Sequence, residues 1–371
     1  MAYAAVRGGR KAIQEANRLL DYYRLKGGSV PIEVRQIRDQ MRLAVDQVMG
    51  EGSLYDPDLA ALALKQAEGD TLEAAFLLRA FRSTVPRNQY SLAVDTSRMR
   101  VIRRISAAFK DVPGGQFLGP TRDYTQRLLR FELMEETEER AREFLKKYVE
   151  GDEWKELEAQ GTLDFPKMID WLRAKGLLEN PDAAEGQREP GPIDDITRRS
   201  IRFPASRSMR MQALARGETG ALLAFAYSVA RGYGAIHPTL GELRVGYVPV
   251  LVPHPLHSGE VVTIGEVLVT EAEVVARMRE RTDRLQAKFS LGYGLCFGHN
   301  EIKAIAMAAL DRAMVSENPQ APAEDEEFVL YHIDGIESSG FVAHWKLPHY
   351  VDFQAEMIRV RSIQRQRGPR A

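Results

Sequence analysis

Two stretches in the second half of the chain, Glu242–Val252 and Glu260–Thr270, are rich in β-branched residues and are separated only by the loop Pro253–Gly259. β-Branched side chains suit the pleated surface of a sheet and lose rotamer freedom in a helix. A connection this short suits antiparallel strands, because a parallel pair needs a crossover of a dozen residues or more. The C-terminal part is therefore expected to be built on an antiparallel sheet.

The N-terminal part reads differently. Lys11–Leu25 carries Ile13, Ala16, Leu19 and Leu20 at helical spacing and stops at Gly27-Gly28. Val34–Met49 places Val34, Ile37, Met41, Ala44, Val45 and Val48 on one face and is expected as a single helix. Asp56-Pro57 has the form of an N-cap with proline at the first helical position, opening Asp58–Glu68. Asp70 or Thr71 opens another helix through Leu72–Phe81. Short polar turns between such helices suggest a bundle. The expected fold class is α+β, with a helical N-terminal part followed by a mixed region with an antiparallel sheet. Four segments follow: 1–110 helical, 111–178 turn-rich with charged helices (Glu138–Gln160 and Phe165–Leu177), a Pro/Gly/Ala linker at 179–192, and an α+β domain at 193–371.

Composition narrows the function. Formal net charge is −1, so no global field draws the chain to nucleic acid or to a membrane surface. The one cysteine, Cys296, excludes an internal disulfide framework and any multi-cysteine metal or iron–sulfur site within this chain. No apolar run approaches the ~20 residues of a spanning helix, and the N-terminus has no apolar signal-peptide core. A cytoplasmic location is expected.

Chemistry is concentrated in Glu324–Gln354, which holds three of the seven histidines, His332, His344 and His349. Four carboxylates, Glu324 to Glu327, open it. Phe328–Ile333 and Phe341–Trp345 read as strands around the turn-like DGIESSG. His344 and His349 follow with Pro348 between them, which disfavours a regular helix across the pair. A strand end and a turn would bring both rings toward one point. Two imidazoles are too few for zinc, which takes about four ligands in a closed site and three in a catalytic one. Asp352, Glu356 or another chain would have to complete it, and two histidines bonded to backbone are the plainer alternative.

Six arginines fall within Arg198–Arg216, among them Arg207 and Arg210 in a Ser-Arg-Ser-x-Arg run. Guanidinium groups bind phosphate oxygens in bidentate fashion. They could equally pair with acidic side chains. The loop from Lys110 through Pro113-Gly114-Gly115 could approach a phosphate through backbone N–H groups. Leu291–Gly298 leads through Asn300, a good N-cap, into a helix at Glu301–Met314. That arrangement either presents N–H groups to an anion or packs a helix closely on the sheet.

Several phrases resemble one family. They are Gly8-Gly9-x-Lys11-Ala-Ile, Lys110-Asp-x-Pro-Gly-Gly-Gln-x-Leu-Gly-Pro120, Ser206-Arg-Ser-x-Arg210, Ala226-Tyr-Ser-x2-Arg-Gly-Tyr-Gly234, His237-Pro238, Tyr293-Gly-Leu-x-Phe-Gly298, Asp325-Glu-Glu-Phe-Val-Leu330, and Gly340-Phe-Val-x-His344-x-Lys-Leu-Pro-His-Tyr-Val-Asp-Phe-Gln354. Together they resemble the I subunits of the bacterial carbon–phosphorus lyase core complex along nearly the whole chain, residues 131–190 excepted. The resemblance implies a role in phosphonate use. With partner subunits, such proteins displace adenine from ATP by methylphosphonate, giving α-D-ribose 1-methylphosphonate 5-triphosphate. Alone they act as purine nucleoside triphosphate nucleosidases. It also implies G, H and J subunits as partners, an ATP-binding cassette protein on the assembly, and zinc held by His344 and His349 at the interface with the J subunit.

Displacement at an anomeric carbon passes through an oxocarbenium-like state, which carboxylates stabilise. Asp325, Glu326 and Glu327 are the expected carboxylates. Arg207 and Arg210, with magnesium, are the expected partners of the triphosphate. A non-catalytic scaffold in the same complex is the competing expectation.

Overall fold

The computed structural model of the chain describes residues 9–150, 166–178, 193–233, 238–277, 288–316 and 319–366. The expected linker at 179–192, the second half of the charged Glu138–Gln160 stretch, and His237 lie outside them.

The N-terminal region forms α1 (Gly9–Leu25), α2 (Val34–Gln40), α3 (Arg42–Gly52), α4 (Pro57–Gln66) and α5 (Thr71–Thr84). Local chemistry sets the starts. Asp56 accepts the Leu59 N–H at 2.9 Å with Pro57 at the first helical position. Asp70 accepts the N–H groups of Leu72 and Glu73 at 2.9 and 3.2 Å. Ile37, Val45, Val48 and Met49 bury against Ala60, Leu64 and Leu78.

Two expectations are corrected here. The single helix over Val34–Met49 is broken at Met41, whose backbone (φ −111°, ψ 36°) leaves the helical region. The break lets α2 lie on α4 while α3 wedges between α4 and α5. The second concerns α1, which stays outside the bundle core. It has no buried residue, and Leu19 and Leu20 are more than half exposed.

The region expected to be helical through residue 110 also supplies an edge strand, β1 (Arg100–Ile105). Then come α6 (Glu138–Glu150), α7 (Met168–Ala174), α8 (Arg207–Arg216) and α9 (Thr219–Ser228), which runs into a π-helical turn at Val229–Tyr233. The β-branched stretches become β2 (Thr239–Pro253) and β3 (Val261–Arg277), and β4 (Phe289–Phe297) completes an antiparallel sheet in the order β1-β2-β3-β4. The Gly-Tyr-Gly of residues 292–294 lies within β4 rather than in a loop. The remaining elements are α10 (Glu301–Ala313), α11 (Glu326–His332), α12 (Gly335–Ala343) and α13 (Tyr350–Gln366).

The strands expected at Phe328–Ile333 and Phe341–Trp345 are helical instead. Asp325 accepts the Phe328 N–H at 3.0 Å and so starts α11. Asp334 accepts the N–H groups of Ile336 and Glu337 at 3.1 and 3.3 Å and so starts α12. Val329, Leu330 and Ile333 are all buried, a helical spacing and not an alternating one. DGIESSG is the opening of α12. His344–Lys346 is a 3-10 turn, and the extended Leu347 before Pro348 separates it from α13.

Strand register gives the sheet two unlike faces. Leu243, Ala272 and Gly294 align in one row, and Glu242, Glu273 and Tyr293 in the next. The first row faces α10, whose Ala304, Met307 and Ala308 are buried. Contact is so close that a Cβ at Gly292 would stand 2.0 Å from the Ala308 carbonyl oxygen, and one at Gly294 2.1 Å from that of Ala304. These glycines permit close helix-on-sheet packing.

Gly294→Ala should therefore cost about 3 kcal/mol or more, since both clashing partners are backbone and neither can rotate away. Gly27→Ala, where a Cβ meets nothing within 4 Å, is the control. A lower denaturant midpoint for the first and not for the second is the expected result.

Candidate functional site

Ser206 caps α8 by accepting the Met209 N–H at 3.3 Å, which places Arg207 and Arg210 on the first turn. Three residues apart, they project from the same side and converge on Asp311 of α10. Arg207 reaches it at 3.3 Å and Arg210 at 3.2 Å. Asp311 is fully buried and also accepts the Tyr293 N–H at 3.0 Å. Arg210 extends to Glu326 at 3.2 Å, and the other oxygen of Glu326 accepts the Ala205 N–H at 2.9 Å. The structure thus joins two expected phosphate ligands with one expected catalytic carboxylate, in a cluster whose charges balance. It does not add the others. Asp325 is occupied as the cap of α11, and Glu327 is exposed.

His344 and His349 do come together. Their ring centroids are 5.4 Å apart with the planes tilted by 58°. Nδ1 of His344 faces the Phe341 carbonyl and Nδ1 of His349 faces that of Leu347 at 2.6 Å. A carbonyl only accepts, so each Nδ1 carries the proton and each Nε2 keeps its lone pair in the neutral ring. Metal-binding histidines are commonly oriented in this way. Among the described residues no group of three or more His, Cys, Asp or Glu side chains could hold a metal ion, so neither Asp352 nor Glu356 completes the pair.

The start of α10 is closed to an outside anion. His299 N–H donates to Asp46 at 3.0 Å, and Asn300 N–H donates to Thr270 Oγ1 at 2.9 Å. Asn300 does not cap with its side chain, which donates to the Phe297 carbonyl at 2.7 Å. Close packing is the reading that the structure favours. Cys296 is buried, which pushes its thiol up to about 12, so it is no nucleophile at neutral pH.

One buried cluster of charge was missed by sequence reading. It lies on the second face of the sheet. Glu271 of β3 accepts from Arg244 of β2 at 3.0 Å, Thr96 at 2.6 Å, Lys167 at 2.7 Å and Tyr293 of β4 at 2.8 Å. Arg104 of β1 binds Glu242 at 2.5 Å and the Pro166 carbonyl at 2.7 Å. Glu273 lies 3.3 Å from Lys167. Burial would raise Glu271, but Arg244 and Lys167 overcome it and hold that carboxyl at about 2. Glu273 is pushed up to about 7 by burial, against the pull of Lys167 and with the repulsion of Glu271. Burial, then Glu271, raises the Tyr293 hydroxyl. Glu273 can therefore carry a proton near neutral pH. The available signal was the period-two pattern Glu242-x-Arg244 and Glu271-x-Glu273, which ordinarily marks a solvated face.

The sign for Glu273 is that of a carboxyl raised on folding. It favours the folded state below about pH 4.5, and this contribution is lost as pH rises through about 7. Glu273→Gln should remove up to about 3 kcal/mol of that loss. Denaturant midpoints at pH 5 and pH 8 should lie closer together in the variant than in the parent.

A family model described as bacterial phosphonate metabolism protein (PhnI) matches residues 2–367. The chain is 50% identical over 369 residues to "Putative C-P lyase subunit protein HtxH" of Stutzerimonas stutzeri, covering 98% of this chain and 96% of that protein. It is 46% identical over 372 residues to the alpha-D-ribose 1-methylphosphonate 5-triphosphate synthase subunit PhnI of Escherichia coli strain K12, with 99% of each chain covered. The protein of the same name from Rhizobium meliloti strain 1021 is 45% identical over 370 residues, covering 98% of this chain and 95% of that one. Matched from residue 2 to residue 367 and 45–50% identical to these relatives, the chain belongs to the bacterial phosphonate metabolism protein (PhnI) family.

Proposed function

We propose that this chain is a subunit of a carbon–phosphorus lyase complex and works in ribose 1-methylphosphonate 5-triphosphate synthesis. The observation that carries the reading is end-to-end likeness to relatives that bear those names, at 45–50% identity. In the proposed reaction a methylphosphonate oxygen attacks the anomeric carbon of ATP. The C–O bond forms as the bond to adenine N9 breaks, and adenine leaves with a proton. Water in place of the phosphonate gives nucleosidase chemistry. G, H and J subunits, with an ATP-binding cassette protein, are the proposed partners, and magnesium would accompany ATP.

The residues divide the work as follows. Asp325 is spent as a cap, and Glu326 is held by Arg210. Glu327, exposed and without an ion-pair partner among the described residues, is the carboxylate of this run free to face positive charge in the transition state. Arg207 and Arg210 already hold Asp311 and Glu326, so in this reading they brace α8 against α10 and α11. His344 and His349 would bind zinc through Nε2, with a partner subunit supplying the other ligands. Zinc, when bound, supplies a Lewis acid that polarises an oxygen.

Exposed apolar groups support a place in an assembly. Phe341, Trp345, Tyr350, Val351 and Phe353, around the histidine pair, are each more than 60% exposed. The same surface favours the scaffold alternative. No described helix is long and apolar enough to cross a membrane.

Incubation of the assembled complex with ATP and methylphosphonate should release adenine. A complex that assembles fully yet releases none would favour the scaffold. His344→Ala should lose one zinc per copy of this chain by elemental analysis of the complex, while unchanged zinc would remove the histidines from the metal site.

A further inference from the structure

A cavity of about 520 Å³ opens between the 196–201 loop, the last turn of α8, and the α11–α12 junction. That volume lies within the range of small-molecule sites. Arg198, Arg199 and Arg216 line it, against Asp334 and Glu337. Arg79 pairs with the lining Asp334, and both Arg79 and Arg82 interact electrostatically with a neighbouring arginine of this group. Asp334 is already committed. It binds Arg79 at 2.7 Å, lies 3.3 Å from Arg216, and caps α12. Arg198 and Arg199 sit exposed on the rim with no acidic partner among the described residues.

Cation is thus in excess here, unlike at the Arg207–Arg210 cluster. Three guanidinium groups line the cavity against two carboxylates, and Arg79 and Arg82 add positive charge beside Arg216, offset only in part by Asp195 near Arg82. Arg79 Nε is buried without a hydrogen-bond acceptor among the described residues. Crowding is visible in the arginines themselves. Burial, followed by repulsion from Arg79, lowers Arg216. Burial, followed by Arg216 and Arg79, lowers Arg82. Like charges held this close store repulsion that a multiply charged anion would relieve. The guanidinium fork matches phosphate oxygens, and several forks around one cavity match a chain of phosphates.

We infer that this cavity is a polyphosphate-binding site, with Arg198, Arg199 and Arg216 as its contacts. Identifying the anion as the triphosphate of a nucleotide rests on the function proposed above. The site stands about a third of a turn around α8 from the neutralised cluster, since Arg210 and Arg216 lie six residues apart on a helix of 3.6 residues per turn.

Calorimetric titration of the full chain with inorganic triphosphate tests it. The parent should bind saturably at one site, more weakly as salt rises. Arg198→Gln with Arg199→Gln, both on the exposed rim, should weaken binding tenfold or more, and the paired Lys variants should keep part of it. Arg140→Gln, an exposed arginine of α6, should bind as the parent does. An absence of saturable binding by the parent, or parental affinity in the double Gln variant, would overturn the site. Purine release separates the two claims. A complex that binds triphosphate here yet releases no adenine refutes the functional reading alone, and release with parental triphosphate affinity in the double Gln variant refutes the site alone.

Discussion

The fold depends on how it neutralises one buried carboxylate. Glu271 sits in the middle of the sheet, out of water, and remains charged because Arg244 and Lys167 reach it. Burial of an ion costs several kcal/mol, which close charged and hydrogen-bonding partners offset. Those partners come from β2, from β4 through Tyr293, from the turn before β1 through Thr96, and from the segment before α7 through Lys167. One group therefore fixes the sheet and the segments that cover it.

Two ways of packing meet at this sheet. On one face β4 gives up side chains at Gly292 and Gly294 so that α10 can press backbone to backbone. On the other, charge replaces apolar contact. Apolar packing tolerates small adjustments, whereas a paired buried charge demands one geometry. The Arg104–Glu242 pair extends the same logic to the edge strand. At the periphery, α1 and α13 have no buried residue and keep their apolar groups outward.

Much of this was legible locally. Asp56-Pro57 and Asp70 start their helices as read, because a cap is decided by residues within one turn. The β2–β3 hairpin was legible from its β-branched runs and short loop. Phe328–Ile333 was not. A short apolar run is compatible with either element, and capping by Asp325 together with burial of Val329, Leu330 and Ile333 decided for helix. Arg207 and Arg210 were visible as cations, but their carboxylate Asp311 is about a hundred residues away in sequence, beyond any local pattern.

By itself, the sequence determined the α+β class, most helix starts, the interruption at Pro348 and the family. Each of these is carried by neighbouring residues or by whole-chain likeness. Tertiary structure alone decided which charges are spent and which are free. Glu242, Arg244, Glu271 and Glu273 alternate along their strands as a solvated face would, yet Thr96 and Lys167, far away in sequence, close over them. The histidines pair as the sequence suggests, and only the fold shows that among the described residues neither Asp352 nor Glu356 joins them. The physical reason is the same in both cases. The state of a polar group is set by what excludes water from it and by what stands opposite it, and these contacts span the length of the chain.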